Sequence, residues 1–357
     1  MVEAALNALS ALQSTGESDI PAGNFPSSRY HPLFRFKRTE DNVYFVSWIL
    51  QSLKRSSPLF SIPEKDVAQS IITKAEASLI HYRSRYGGAA YNFYRADEWF
   101  PNGVFLKYFK TFQPTDDADD SAIAYRGLAN AKEFIPELKS HLEEQANGRN
   151  GKFLKRGPVS YRTKALYNTW IGSKGLFVDL DLVVVCNILM FNACYELEKT
   201  ALDRSNIQFV LDVVKCKSHL NEKWSLCAWY PNDVVILYNI ADLLITSFYP
   251  ELEQIREQIV EDLTHLLGTK QDAVSRALTE SALMKCGQNP SGSLEVVSLE
   301  SYLNENQQFS FGVIPLLHPF DGRWAQRISS LSLFRMHYRC DAQALCILIE
   351  HELLSRS

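Results

Sequence analysis

Six apolar runs with helical spacing, each opening on an acid, limit this chain more than any other feature. They begin at Asp41, Asp120, Asp181, Asp233, Asp272 and Asp341. The run Asp181-Leu-Val-Val-Val-Cys-Asn-Ile-Leu-Met-Phe shows the type, apolar on nearly every side. A helix without a polar face has to be enclosed by other elements. Between these runs lie segments with one charged face: Glu64 to Arg85, Ala131 to Gln145, Leu202 to Leu220 and Glu251 to Leu267. Such segments suit an outer layer. Strand signals are few, so the expected class is all-α, an (α/α) toroid of about six helical hairpins with the apolar helices inside. The starts are spaced unevenly, from 39 residues (233 to 272) to 79 (41 to 120), which suits a closed barrel with long loops better than a solenoid.

The length of 357 residues admits one large domain or two ordinary ones, and no clean linker divides it. The expectation is a mobile N-terminal lead-in over 1–28, with a short amphipathic helix from Ala4 to Leu12, and a single domain over 29–357. The first residues lack the basic and apolar regions of a secretory signal. The longest apolar run, Gly175 to Tyr195, is interrupted by Asp179, Asp181, Asn187 and Asn192, so it reads as a buried helix and not as a transmembrane segment. A net charge of −4 provides no basic field, and no nucleic-acid partner is expected. The seven cysteines show no CxxC pairing, and read as reduced core thiols of a cytoplasmic protein. A homo-oligomer is compatible with all of this.

The densest chemistry sits in Pro114-Thr-Asp116-Asp117-Ala-Asp119-Asp120-Ser121-Ala122, four carboxylates within five positions. One or two acids at a helix start are explained by capping and by the helix dipole. Four are not, because like charges repel unless a cation, a shared proton or bulk water relieves them. The phrase Asp117-Ala118-Asp119-Asp120-Ser121-Ala122 resembles the DxDD(T/S)A motif of class II terpene cyclases, the squalene–hopene and diterpene cyclase superfamily. The resemblance covers about ten residues plus the helix pattern, and that family also builds (α/α) toroids. It implies that Asp119 is the general acid, tuned by Asp117 and Asp120, and protonates a linear isoprenoid substrate that then closes rings. The family's enzymes use at least two toroidal domains and carry glutamine–tryptophan repeats; this chain has room for one toroid and shows no clear repeat.

The chemistry asks for a carboxylic acid that stays protonated at neutral pH, because an alkene is a poor base. Burial and neighbouring carboxylates raise a pKa, whereas a helix N-terminus favours the anion. The resulting cation needs aromatic faces and exclusion of water. Tyr125, Trp170, Phe177, Trp229, Tyr230 and Tyr238, near inner-helix starts, are the expected lining, with Asp181 and Asp233 at the same mouth. The stretch Tyr86 to Thr115 adds further aromatics. Lys155, Arg156, Arg162 and Lys164 are candidates for holding a substrate diphosphate. Protonation requires no cofactor, although Mg²⁺ can accompany a diphosphate. The same acids also spell DDxxD, the motif with which class I synthases bind Mg²⁺, here Asp116, Asp117 and Asp120. The second metal motif of that class is incomplete at Asn232-Asp233, where Ile236 and Ile240 stand in place of Ser or Thr and of Glu. A toroid that binds a glycan, peptide or lipid without turnover is the non-enzyme alternative.

Overall fold

The computed structural model describes residues 2–34, 36–97, 115–128, 132–149, 151, 153–154, 157–171, 178–290, 309–316, 328 and 330–356. Its helices are α1 (Val2–Leu12), α2 (Val43–Ser56), α3 (Ile62–Ser78), α4 (Ala118–Gly127), α5 (Ile135–Glu144), α6 (Leu182–Cys194) and α7 (Ala201–Lys215), then the short α8 (Ser218–Asn221) and α9 (Lys223–Leu226), then α10 (Asp233–Leu244), α11 (Arg256–Leu267), α12 (Ala273–Lys285) and α13 (Asp341–Ser355). The strands are β1 (Ser27–His31), β2 (Phe36–Glu40), β3 (Tyr91–Asn92), β4 (Asp116–Asp117), β5 (Trp170–Ile171), β6 (Val313–Pro315) and β7 (Arg335–Arg339). The protein is mostly helical, but two small antiparallel sheets make it other than purely all-α. One has the order β2-β1-β7-β6 and the other β3-β4-β5.

All six apolar runs are helices: α2, α4, α6, α10, α12 and α13. Side-chain caps set where most of them begin. Asp181 accepts the Val183 N–H at 2.9 Å, and Asp272 accepts those of Val274 and Ser275, both at 3.0 Å. At α2 and α10 the cap is the asparagine beside the expected acid, Asn42 and Asn232, both in extended backbone. At α4 the cap lies three residues early, at Asp117, so Asp119 and Asp120 fall inside the first turn.

α2 packs against α4, α4 against α6, α6 against α10, α10 against α12, α12 against α13, and α13 back against α2. The six therefore close a cycle. Tyr44, at the start of α2, lies against Tyr230 just before α10, with ring centroids 5.7 Å apart. Arg55, at the end of α2, meets Asp242 near the end of α10 at 2.6 Å. Starts thus gather at one end of the cycle and finishes at the other. α3 packs on α2, α5 on α4, α7 on α6, and α11 on both α10 and α12.

The segment expected to be a mobile lead-in is packed. α1 buries Val2, Ala5, Leu6 and Leu9 while lying against α13 and α3. Such a face needs an apolar partner, and α13 supplies it. The Gln13 side chain donates to the carbonyls of Gly23 at 2.8 Å and Ile71 at 3.0 Å. Gly23 has a φ of +90°, and a Cβ there would sit 2.1 Å from the Lys74 carbonyl oxygen. Only glycine allows that approach. Ser27 and Ser28 then open β1, which pairs with β2 and with the distant β7.

Among the described residues no helix is long and apolar enough to cross a membrane. All seven cysteines are free; Cys194 and Cys216 are exposed, and the other five are buried as expected of core thiols.

Candidate active site

β4 lies between β3 and β5, pairing Asp117 with Tyr91 and Trp170, and Asp116 with Asn92 and Ile171. The chain turns directly from β4 into α4. Asp117 caps the turn by accepting the N–H groups of Asp119 at 2.8 Å and Asp120 at 3.3 Å. The Ser121 hydroxyl donates to the Asp117 carbonyl at 2.6 Å and accepts the Tyr91 N–H at 2.8 Å, which fixes the strand to the helix. All four acids are buried, at 3% (Asp116), 7% (Asp117), 2% (Asp119) and 1% (Asp120) exposure. Asp116 belongs to a different environment: its Oδ2 accepts the Ser84 hydroxyl at 2.7 Å.

Asp119 is held at both oxygens. Asn187 Nδ2 donates to Oδ1 at 2.7 Å, and the Tyr230 hydroxyl donates to Oδ2 at 2.5 Å. Asn187 in turn accepts from Arg126 Nη1 at 3.1 Å, while Nη2 rests on the Met190 sulfur at 3.3 Å. An amide therefore stands between the cation and the carboxyl. Oδ2 of Asp120 is buried with no hydrogen-bond partner among the described residues.

Burial pushes all three carboxyls up. Asp119 rises to about 6, because burial outweighs the hydrogen bonds of Tyr230 and Asn187 and the charge of Arg126. Asp117 rises well above the usual carboxylate range through burial and the neighbouring Asp119, against the pull of two backbone N–H groups. Asp120 rises well above that range as well, from burial and then from Asp117 and Asp119. A partly buried helix terminus favours an anion by at most about 2 kcal/mol. Removing a carboxylate from water costs several kcal/mol. Desolvation wins, and all three carboxyls are pushed above their ordinary range.

A second acid pair borders this set. Asp181 accepts the Trp229 N–H at 3.0 Å, and Asp179 accepts the Trp229 indole N–H at 2.7 Å. Burial also raises Asp181 well above its ordinary value. Trp170 meets Trp229 edge to face, with centroids 5.3 Å apart. On the other flank Tyr230 packs with Tyr44 at 5.7 Å and Phe311 at 6.1 Å, and Phe311 with Trp48 at 5.9 Å.

The structure sorts the sequence-predicted residues clearly. Asp117, Asp119, Asp120 and Tyr230 converge, and Trp170, Asp181 and Trp229 adjoin them. Tyr125 is buried beside Tyr91 and Phe191, apart from the carboxyls. Tyr238 gives its hydroxyl to Glu350 at the opposite end of the cycle. Asp233 pairs with Lys223 at 2.6 Å. Lys164 is committed to Asp212 on α7 at 2.7 Å, and the exposed Arg162 donates to the Gly157 carbonyl at 3.3 Å, so neither meets the acids. Phe177, Lys155, Arg156 and the aromatics from Trp99 to Phe112 lie outside the described residues. Among the described residues no three His, Cys, Asp or Glu side chains are grouped to hold a metal ion. Sequence reasoning missed Tyr44, Arg126 and Phe311 altogether. It noted Asn187 only as an interruption of an apolar run, which was the available signal, because a lone amide in a buried helix needs a polar partner.

Comparison with known protein families, with curated proteins and with solved structures finds no match to this chain.

Proposed function

We propose that this chain is a proton-initiated terpene cyclase of class II type, built on an (α/α) toroid whose inner wall is the closed helical cycle. The observation that carries the reading is the buried, mutually repelling carboxyl set on which Asp119 touches an aromatic layer. Asp119 is the general acid. Its proton passes to a terminal alkene carbon of a linear isoprenoid, and the alkene π electrons form the new C–H bond. The adjacent carbon becomes cationic, and later alkenes close rings onto it. Asp119 is left as a carboxylate, which the Asn187 N–H and the Tyr230 hydroxyl stabilise. A phenol both donates and accepts, so Tyr230 keeps its contact when Asp119 regains a proton from solvent. Loss of a proton to a base, or capture by water, quenches the final cation. Tyr230, Tyr44 and Phe311 supply π faces next to the acid. The Mg²⁺-dependent reading on Asp116, Asp117 and Asp120 has less support, since Asp116 bonds Ser84 and Asp117 spends Oδ1 on two backbone N–H groups.

Incubation with farnesyl diphosphate, geranylgeranyl diphosphate and squalene, followed by product analysis, tests the proposal. Cyclic products that retain any diphosphate are expected, and Asp119→Asn should abolish them while leaving circular dichroism and Tm intact. An active Asp119→Asn variant, or no cyclic product from any of the three, overturns it.

A further inference from the structure

A cavity of about 860 Å³ opens between the β2-β1-β7-β6 sheet and the starts of α10 and α12. That volume suits a small organic ligand. Its charged lining is Lys37 on β2, Lys223 on α9, Arg335 and Arg339 on β7, and Asp233 and Asp272 at the starts of α10 and α12. Most of these charges are already committed. Lys223 pairs with Asp233 at 2.6 Å, Arg339 pairs with Asp341 at 2.8 Å, and Asp272 accepts two backbone N–H groups and the Ser275 hydroxyl.

Arg335 is different. Its guanidinium lies over the Trp224 ring, 4.7 Å from the centroid. Its Nη2 reaches only the Ser332 hydroxyl, at 3.4 Å, and its Nε is buried without a partner among the described residues. A cation with unmet donors in a cavity wall calls for an anionic acceptor, and a guanidinium fork matches phosphate oxygens. Lys37, exposed on the same wall, adds a second charge. Burial and then the positive charge of Arg335 push His337, also in this lining, down to about 4, so it adds no positive charge of its own at neutral pH.

Part of the lining is apolar: Phe36, Phe309, Phe311 and Val313. Phe311 lines the cavity and packs against Tyr44 and Tyr230, the phenol that bonds Asp119. We propose that the cavity holds a diphosphate group on Arg335 and Lys37, with an attached hydrocarbon running over Phe311 toward Tyr230. The substrate class is then a polyprenyl diphosphate and not a neutral hydrocarbon. The hydrocarbon's direction rests on the cyclase reading, whereas the anion site does not.

Isothermal titration of the full chain with inorganic pyrophosphate, first in chelator and then with Mg²⁺, tests the site. One saturable site is expected, weakened about tenfold by Arg335→Gln and by a smaller factor in Lys37→Gln. Farnesyl diphosphate should bind more tightly than pyrophosphate, and farnesol more weakly than farnesyl diphosphate. The outer-surface variant Lys164→Gln should bind as wild type. Absence of saturable binding, or unchanged affinity in Arg335→Gln, overturns the site. If Arg335→Gln fails to fold by circular dichroism, the exposed Lys37→Glu decides: weakened binding supports the site and wild-type affinity overturns it. Pyrophosphate binding that is lost in Arg335→Gln, without turnover of any prenyl substrate, keeps the site and removes the cyclase reading. Cyclisation of squalene without pyrophosphate binding does the reverse.

Discussion

At the finishing ends of α2, α10, α12 and α13, Arg55 and Lys285 face Asp242 and Glu350; at the starting ends, Asp117, Asp119 and Asp120 face one another. The carboxylates of both groups are buried. At the finishing end Arg55 lies 2.6 Å from Asp242 and 3.0 Å from Glu350, and Lys285 lies 2.7 Å from Asp242 and contacts Glu350. Burial alone would raise both carboxyls, but the charges of Arg55 and Lys285 hold them below their ordinary values. At the starting end Arg126 pulls Asp119 down but does not offset burial, and the same burial raises all three acids. One end therefore contains ionised pairs that lock four helices, and the other holds carboxyls that burial makes harder to ionise. Stability explains the first arrangement. The second works against stability in the ionised state, and perturbed carboxyls of this kind cluster at functional sites.

Substitutions at the two ends should behave oppositely. The largest stability effect is expected from Glu350→Gln, which leaves Arg55 and Lys285 with one carboxylate fewer and should cost about 3–5 kcal/mol in urea unfolding. A loss below about 1 kcal/mol would show the network to be unimportant. Asn187→Ala should cost about 1–3 kcal/mol by stranding buried partners. It removes a donor that favours the Asp119 anion, so the alkaline fall in turnover should move to higher pH. A purely structural role for Asn187 would leave that limb in place.

Asp120→Asn sharpens the contrast through pH. The folded-state pKa of Asp120 lies above its unfolded value, so its protonation favours folding below the unfolded value, and that advantage is lost as pH rises through the folded one. The Tm of Asp120→Asn relative to wild type should therefore grow as pH rises above the ordinary aspartate value of about 4, by a few degrees for each roughly 1 kcal/mol of relieved strain. A pH-independent difference would mean that Asp120 ionises normally. The smallest effect belongs to Lys164→Gln, a half-exposed pair with Asp212 worth below about 1 kcal/mol and without influence on turnover.

Much of this arrangement was legible in the sequence, because local periodicity and capping determine it. The six apolar runs and the four amphipathic ones became helices close to their expected bounds, and Asp117, Asp119 and Asp120 are buried together. What escaped depends on contacts between distant residues. β1 pairs Ser28 with Arg339, and no local pattern announces such a partner. The segment 1–28 was expected to be a mobile lead-in, yet α13 packs against the apolar face of α1. Tyr230 was visible as an aromatic near a helix start, but its bond to Asp119 joins residues 111 positions apart. Arg335 carries no motif; only the fold brings Trp224 beneath it.

The central claim is that the set formed by Asp117, Asp119 and Asp120 retains a proton at neutral pH. Titration of ¹³C-labelled aspartate carboxyls by NMR, assigned with the single Asp→Asn variants, measures this directly. The account predicts that at least one of the three keeps the protonated-form shift at pH 7, and that Asp119 titrates near 6. Complete ionisation of all three by about pH 5, in the ordinary aspartate range, would contradict it.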